Sequence, residues 1–455
     1  MTAEWHEQRG AAAVSSAALA NTIVAPAENA PRLLDARSSG PDLTEHLRRH
    51  GPLPETDGPT LLDAVERSGL TGRGGAGFPA GRKLRTVAEA AVGRGPLRRR
   101  GAVVVANGCE SEPASGKDRV LLLAAPHLVL DGIALAARMV GADRAHLCLH
   151  EDAPEQIRSV ERALAERRAA GLRDVAVQLA AVPNRYVASE ETALIRLLDG
   201  GPALPQFTPP RPFERGVGGR PTLVNNVETF AHLALIARHG ADWFRAAGTL
   251  EAPGTALITF GGAVAEPGVY EVPLGLSGAD LLAVAGGPVG RLQAVLAGGY
   301  FGAWLLADRF RRTRITGPDL ARAGAAMGAG IFLALPADRC GLAETARVAR
   351  YLAEQSANQC GPCRNGLPAL AAGLETLAAG ADGRAPGYIR QLSPYVTGRG
   401  TCRLPDGAVR LIASALDVFA GDVAAHAEGR PCAGAHREAL FPIPAATAEP
   451  AGRSR

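Results

Sequence analysis

Ala102-Val103-Val104-Val105-Ala106 runs directly into Asn107-Gly108-Cys109-Glu110-Ser111-Glu112-Pro113. An unbroken run of small and β-branched apolar residues is the pattern of a strand buried on both faces. The polar, glycine-containing stretch behind it reads as the turn at that strand's carboxyl end. Outward from this point the pattern alternates: the spacing predicts helices over 61–69, 127–139 and 154–170, and strands over 145–149 and 175–182. Such alternation predicts a mostly parallel sheet covered by helices, with ligands beyond the carboxyl ends of the strands.

The texture changes near Gly254. The run GTALITFGGAVAEPGVYEVPLG has two β-rich segments around a Pro-Gly turn and reads as a hairpin. Ser277 then caps a short helix, SGADLLAVAG, that stops at Gly286-Gly287. A small β-grasp-like module of ~60 residues fits these short elements. After about Gly317 the chain reads as helical, and Leu367, Leu370, Leu374 and Leu377 form the stripe of a bundle helix. The expected organisation is therefore a tail and lead-in over 1–60, loose and Ala-rich over 1–31. An α/β domain over 61–250, a β-grasp domain over 251–318, a helical domain over 319–437 and a tail over 438–455 follow.

Composition narrows the function. Of 455 residues, 47% are apolar and 21% charged, which suits a folded chain. Forty-nine basic residues against 45 acidic ones, with only 4% aromatics, leave neither a basic footprint nor many stacking platforms, so nucleic acid is not an expected partner. The longest apolar region, 120–142, is interrupted by Pro126, His127, Asp131 and Arg138 and is too polar for a membrane span. The first ten residues lack the basic-then-apolar order of a secretory signal. An odd number of cysteines, seven, scattered along the chain argues against a disulfide framework. A cytoplasmic protein is expected. Lys83 and Lys117 are the only lysines, and each falls in one of the two most unusual glycine- and acid-rich stretches. A compact ammonium is not interchangeable with a guanidinium at a tight site.

Five stretches could carry chemistry. Gly72-Arg73-Gly74-Gly75-Ala76-Gly77-Phe78-Pro79, with Lys83 behind it, meets the G-x-G-x-x-G spacing at Gly72, Gly74 and Gly77. The element before it reads as a helix, so the usual dinucleotide-binding context is missing. Its bare backbone can still approach a flat ring or an anion, and the plainer reading is a surface loop. Glu110 and Glu112, followed by Lys117-Asp118-Arg119, lie where a parallel strand ends; an ion-paired, solvated turn is equally open. Tyr186-Val187-Ala188-Ser189-Glu190-Glu191-Thr192 leads from a loop into a helix that Ser189 could cap. Asn225-Asn226 follows an apolar run, as a turn or as side chains able to read a ring edge. Cys360-Gly361-Pro362-Cys363, with Cys402 further on, follows a predicted helix over 343–359. It admits a redox dithiol, an iron–sulfur cluster, or zinc held with His426, His436 or Cys432. Cys148 and Cys340 read as buried apolar residues.

Taken together, GRGGAGFP, ESEP followed by KDR, EET, and PTLVNNVET resemble, in order, one family: the NADH-binding flavoprotein (51-kDa-type) subunit of respiratory complex I and its soluble relatives. The resemblance runs from about Leu61 to Arg437. It implies a flavin-binding α/β domain, a soluble-ligand-binding β-grasp domain and a C-terminal helical iron–sulfur domain. Gly72, Arg73, Gly74, Gly75 and Lys83 are implied to hold FMN, with Asn107, Glu110, Ser111, Tyr186, Glu190, Asn225, Asn226 and Thr229. Phe78, Lys83, Glu112 and Glu191 are implied to contact NADH, Phe78 by stacking. The resemblance also implies that hydride passes from nicotinamide to flavin with no side-chain acid or base. Electrons are then implied to leave through an iron–sulfur centre or a docked electron-accepting subunit, such as a 2Fe-2S protein. Cys360, Cys363 and Cys402 are the implied cluster ligands, of 4Fe-4S type, while Ala357 stands at the family's first motif cysteine. Cys109 replaces the usual Asp, and Ser189 the usual Gly. The other reading is a non-catalytic or cluster-less relative that binds flavin or a partner.

Overall fold

In the computed structural model, residues 32–34, 40–92, 101–172 and 174–444 are described. The loose tail expected over 1–31, and 445–455 of the expected final tail, lie outside the described residues. The quoted apolar run forms β1 (Ala102–Asn107), followed along the chain by β2 (Ala142–His150), β3 (Ala176–Val182) and β4 (Thr222–Asn226). All pairings are parallel, in the order β3-β2-β1-β4. Burial on both faces follows from the strand's two-residue period. Ala102, Val104 and Ala106 point into the larger core, while Val103 and Val105 join Cys109, Cys148 and Leu194 on the other side.

The larger core is covered by the helices Pro126–Val140 and Val227–Arg245. They approach so closely that a Cβ on Gly132 would lie 1.8 Å from the Phe230 carbonyl oxygen, so glycine is obligatory there. One residue earlier, Asp131 is buried among His46 Nε2 at 2.8 Å, Arg167 Nη2 at 2.7 Å and Arg238. His46 comes from the helix Leu43–His50, so part of the expected lead-in is built into this core. Leu33 and Leu34 are buried too, their backbone N–H groups donating to the Glu271 carboxylate at 3.2 and 2.9 Å.

The second sheet holds β5 (Thr255–Gly262), β6 (Gly268–Pro273), β7 (Leu292–Ala297), β8 (Ala303–Leu306) and β9 (Ile331–Pro336). Its order is β6-β5-β9-β7-β8, with β5 and β9 parallel and the remaining pairs antiparallel. The expected hairpin is β5–β6, and Ser277 caps the helix Gly278–Val284 through a reciprocal box with Asp280. The expectation of an all-helical chain after about Gly317 is corrected by β9, the central strand of this sheet. Six apolar residues, IFLALP, are too few for periodicity to tell strand from helix.

Beyond β9 the chain is helical: Gly341–Glu354, Leu367–Ala378, Ala385–Val396, Leu404–Val418 and Ala420–Ala427. The four leucines of the predicted stripe are buried at 0–2% exposure. The expected tail from 438 is corrected in part. Phe441 is 1% exposed and stacks on Trp304 with ring centroids 5.7 Å apart. Among the described residues no single helix is long and apolar enough to cross a membrane.

Burial alone would push the Asp131 carboxyl up, but His46, Arg238 and Arg167 hold it well below the usual range. A depressed carboxyl contributes stability above its unfolded pKa and loses it as the pH falls. Asp131→Asn is expected to cost about 3 kcal/mol near neutral pH, since it strands two arginines. In thermal melts the gap between wild type and variant should stay constant above about pH 5 and shrink below about pH 4; a pH-independent gap refutes the ion-pair assignment.

Candidate functional site

The carboxyl ends of β1 and β4 lie side by side, with Asn107 paired to Asn226 and Ala106 to Asn225. Against this edge the sequence brings three further segments. The loop 72–79 is closed by Gly72 N–H donating to Phe78 O at 2.8 Å and Ala80 N–H to Leu70 O at 2.8 Å. Residues 74–79 are exposed. Gly74 sits where a Cβ would press on Asn226 Cβ at 3.2 Å, and Gly75 and Gly77 take φ of 109° and 61°, which other residues rarely adopt. Across from Gly75 lies the backbone of Gly328.

Several expected ligand-binding side chains are spent on building this edge. The Arg73 guanidinium is buried, donating to Thr71 Oγ1 at 2.8 Å and Thr255 O at 3.0 Å, and its backbone N–H donates to buried Thr229 Oγ1 at 2.9 Å. Arg73 and Thr229 therefore anchor the loop. Asn226 caps the helix Val227–Arg245 through the Glu228 N–H at 3.1 Å, accepts from Lys117 Nζ at 2.9 Å and donates to Asp118 at 2.7 Å. Lys117, 2% exposed, also reaches Asp118 at 2.6 Å and Glu228 at 3.1 Å. Burial works against its ammonium, yet Asp118, Glu228 and Glu110 hold its pKa above the usual value.

Glu110 accepts from Ser115 Oγ at 2.5 Å and from the Asp118 and Arg119 N–H groups at 3.1 and 3.2 Å, holding the start of the helix Lys117–Ala124. Burial, with Asp118 adding, pushes its carboxyl up to about 6. Glu190 rather than Ser189 caps the helix Glu191–Leu198, accepting from Thr192 and Ala193 N–H at 2.9 and 3.2 Å. Asn107 donates to Ser189 O at 2.9 Å, and Ser111 Oγ lies 3.1 Å from His150 Nε2.

Asn225, 7% exposed, has a buried Nδ2 with no partner, a donor waiting for an acceptor. Phe78 is 46% exposed, with the Arg82 guanidinium 5.8 Å from its ring. Lys83 Nζ donates to Val224 O at 2.7 Å and reaches Glu191 at 3.4 Å. Glu112 accepts from Tyr186 OH and from Tyr300 N–H, both at 2.6 Å, and burial pushes its carboxyl up to about 7. Bare exposed backbone, an unpartnered amide donor and a flanking aromatic fit a flat heterocycle with polar edges, as a flavin is.

The cysteine turn hangs from the same edge. Tyr186 N–H donates to Gln355 Oε1 at 3.1 Å, Arg185 to Ser356 O at 3.3 Å, and Gln359 to Pro205 O at 3.0 Å. Cys360 and Cys363 sulphurs lie 3.5 Å apart. Burial, with Glu190 and Cys360 adding, pushes the Cys402 thiol up to about 11. Ala357 packs against the helical core and offers no donor. Three thiols are present where a 4Fe-4S cluster takes four, so the donor set falls one short.

Sequence reasoning missed Tyr300, Gly328 and His150. Only the glycines at 298, 299 and 328 signalled that backbone from the second sheet would come close. Cys340, expected as a buried apolar residue, is 1% exposed, while His426 and Cys432, offered as zinc partners of the cysteine turn, meet Cys340 instead, with the three donor atoms within 4.8 Å of one another.

Residues 65–235 match the family described as the Nuo51 FMN-binding domain, and residues 343–426 the NADH-ubiquinone oxidoreductase-F iron-sulfur binding region. An F subunit of NADH-quinone oxidoreductase from Rhizobium meliloti is 32% identical over 82% of this chain and 90% of that protein. The NADP-reducing hydrogenase protein HndC of Solidesulfovibrio fructosivorans is 32% identical over 82% of this chain and 77% of its own. A crystal structure of NAD+-reducing [NiFe]-hydrogenase in the H2-reduced state aligns with TM-score 0.75 at 33% identity, covering 81% of this chain and 63% of that one. These matches fall on the glycine loop, the strand ends and the cysteine turn, and the chain belongs to the family of NADH-quinone oxidoreductase F subunits.

Proposed function

We propose that the chain oxidises NADH at the carboxyl edge of its parallel sheet and hands the electrons to a partner subunit. The observation that carries this reading is the unpartnered Asn225 Nδ2 at the carboxyl end of β4, next in sequence to the Asn226 that the exposed glycine loop approaches. Bound FMN supplies the hydride acceptor. The chain's own residues bind and orient. Gly72, Gly74 and Gly75 let backbone lie flat against the ring system, Asn225 donates to its edge, and Lys83 offers a cation to its anionic part. Phe78 stacks on the incoming nucleotide, and Glu191 and Glu112 meet its polar groups. Asn107, Glu110, Ser111, Tyr186, Glu190, Asn226 and Thr229 hold these elements in place. Orientation of one ring over the other is the catalytic contribution, and no side chain exchanges a proton with the reacting carbon.

The finer architecture proposed with this reading is a flavin-binding α/β domain, a β-grasp domain and a helical iron–sulfur-type domain. The helix Gly278–Val284 packed on the mixed second sheet supports the β-grasp assignment, with β9 carrying that domain beyond 318. The partner is an electron-accepting protein, such as a 2Fe-2S subunit, and the setting is the cytoplasm. Polar ties between the cysteine turn and Tyr186, Arg185 and Pro205 support an electron exit on that side.

The anaerobically purified, FMN-supplemented protein should show a flavin band that bleaches on addition of NADH. A chain that takes up no FMN ends the enzyme reading, and a flavin band that yields only to dithionite ends the NADH assignment. Asn225→Ala should weaken FMN binding to the apo-protein about tenfold, the worth of one buried hydrogen bond, in a fluorescence titration. An unchanged affinity places the flavin elsewhere. Ala357→Cys should raise bound iron toward about four per chain, with broad visible absorption that NADH partly removes; iron unchanged from wild type shows that the missing thiol is not what limits the centre.

A further inference from the structure

The Cys340, His426 and Cys432 side chains converge at the start of the 14-residue helix Gly341–Glu354, about 21 Å long, whose far end leads to the cysteine turn. We propose that these three residues hold a structural Zn2+ ion that fastens the C-terminal segment to the helical domain. Cys340 Sγ lies 3.8 Å from His426 Nε2, and all three donor atoms lie within 4.8 Å of one another. Tetrahedral zinc with Zn–S near 2.3 Å and Zn–N near 2.0 Å sets sulphur and nitrogen about 3.6 Å apart and two sulphurs about 3.8 Å apart. The side chains need to close by no more than about 1 Å.

The surroundings are those of a metal-binding histidine. His426 is fully buried, and its Nδ1 lies 3.2 Å from Leu377 O and 3.1 Å from Ala378 O. Both are acceptors only, so the proton sits on Nδ1 and the Nε2 lone pair faces the two cysteines. That lone pair takes the Cys432 backbone N–H at 3.0 Å, a donor the cation replaces. Cys340 caps its helix, its sulphur accepting from the Ala343 N–H at 3.4 Å. The close approach is built into the backbone: a Cβ on Gly434 would lie 2.7 Å from the Cys340 nitrogen.

Two thiolates and one imidazole form a borderline-soft set that suits zinc, with solvent in the fourth position. Loading exchanges the two thiol protons, released to solvent, for the cation, and no electron moves. The ion joins the helices Gly341–Glu354 and Ala420–Ala427 to the segment that carries Leu440 and Phe441, which Glu344 and Trp304 already hold.

The test is elemental analysis of the full chain, followed by replacement of the metal with Co2+. About one zinc per chain is expected, retained in Cys402→Ser and lost in Cys432→Ser. The cobalt form of the wild type should show tetrahedral d–d bands and thiolate charge transfer, a readout that does not depend on any variant folding. Zinc lost in Cys402→Ser but kept in Cys432→Ser overturns the assignment, as does iron in place of zinc at these residues. So does a wild type that takes up neither zinc nor cobalt, or intact mass lacking two thiol hydrogens mapped to a Cys340–Cys432 disulfide.

Discussion

Lys117 is the pin on which the ligand edge depends. Its ammonium is buried, and its three donors meet Asp118, Asn226 and Glu228. An isolated charge there would be untenable, and the network stands because every member is paired. Asn226 carries the end of β4 into the network, and Asp118 carries the helix that follows the β1 turn. Glu228 extends it to the second sheet, accepting the Leu257 N–H at 2.8 Å. Burial pushes the Glu228 carboxyl up, but Lys117 and His232 bring it down to about 2. In a chain that uses arginine almost everywhere else, a guanidinium fork is too broad for this three-cornered site.

The expected ligand residues divide by role along the same strand edge. Asn225 and Asn226 are neighbours, yet one is fully bonded inside the protein and the other keeps a free donor. Alternation along β4 separates them, because successive side chains leave a strand on opposite faces. Arg73, Glu110, Glu190 and Thr229 likewise act as caps and tethers. They shape this edge, while the glycine loop and Phe78 stay exposed and Asn225 keeps an unpartnered donor.

Much of the scaffold was legible because its signals are local. AVVVA, the leucine stripe, the Ser277 cap and the Pro-Gly hairpin turn each lie within a few residues of what they determine. β9 was not, since a short buried strand and a short buried helix turn read alike. Nor were the tethering roles, because the partners are distant in sequence: Arg73 and Thr229 are 156 residues apart and Lys117 and Asn226 are 109 apart. The grouping of Cys340 with His426 escaped for the same reason. Only the packing of helices brings them together, and no spacing rule spans 86 residues.

The contact between Glu112 and the Tyr300 N–H bears on how the protein is made. These residues stand 188 positions apart, and a translating ribosome delivers the first long before the second. A nascent chain that has completed its parallel sheet still has an open side where Gly299, Tyr300 and Gly328 belong. A truncated product that stops before β7 lacks Tyr300 and leaves Glu112 without that partner.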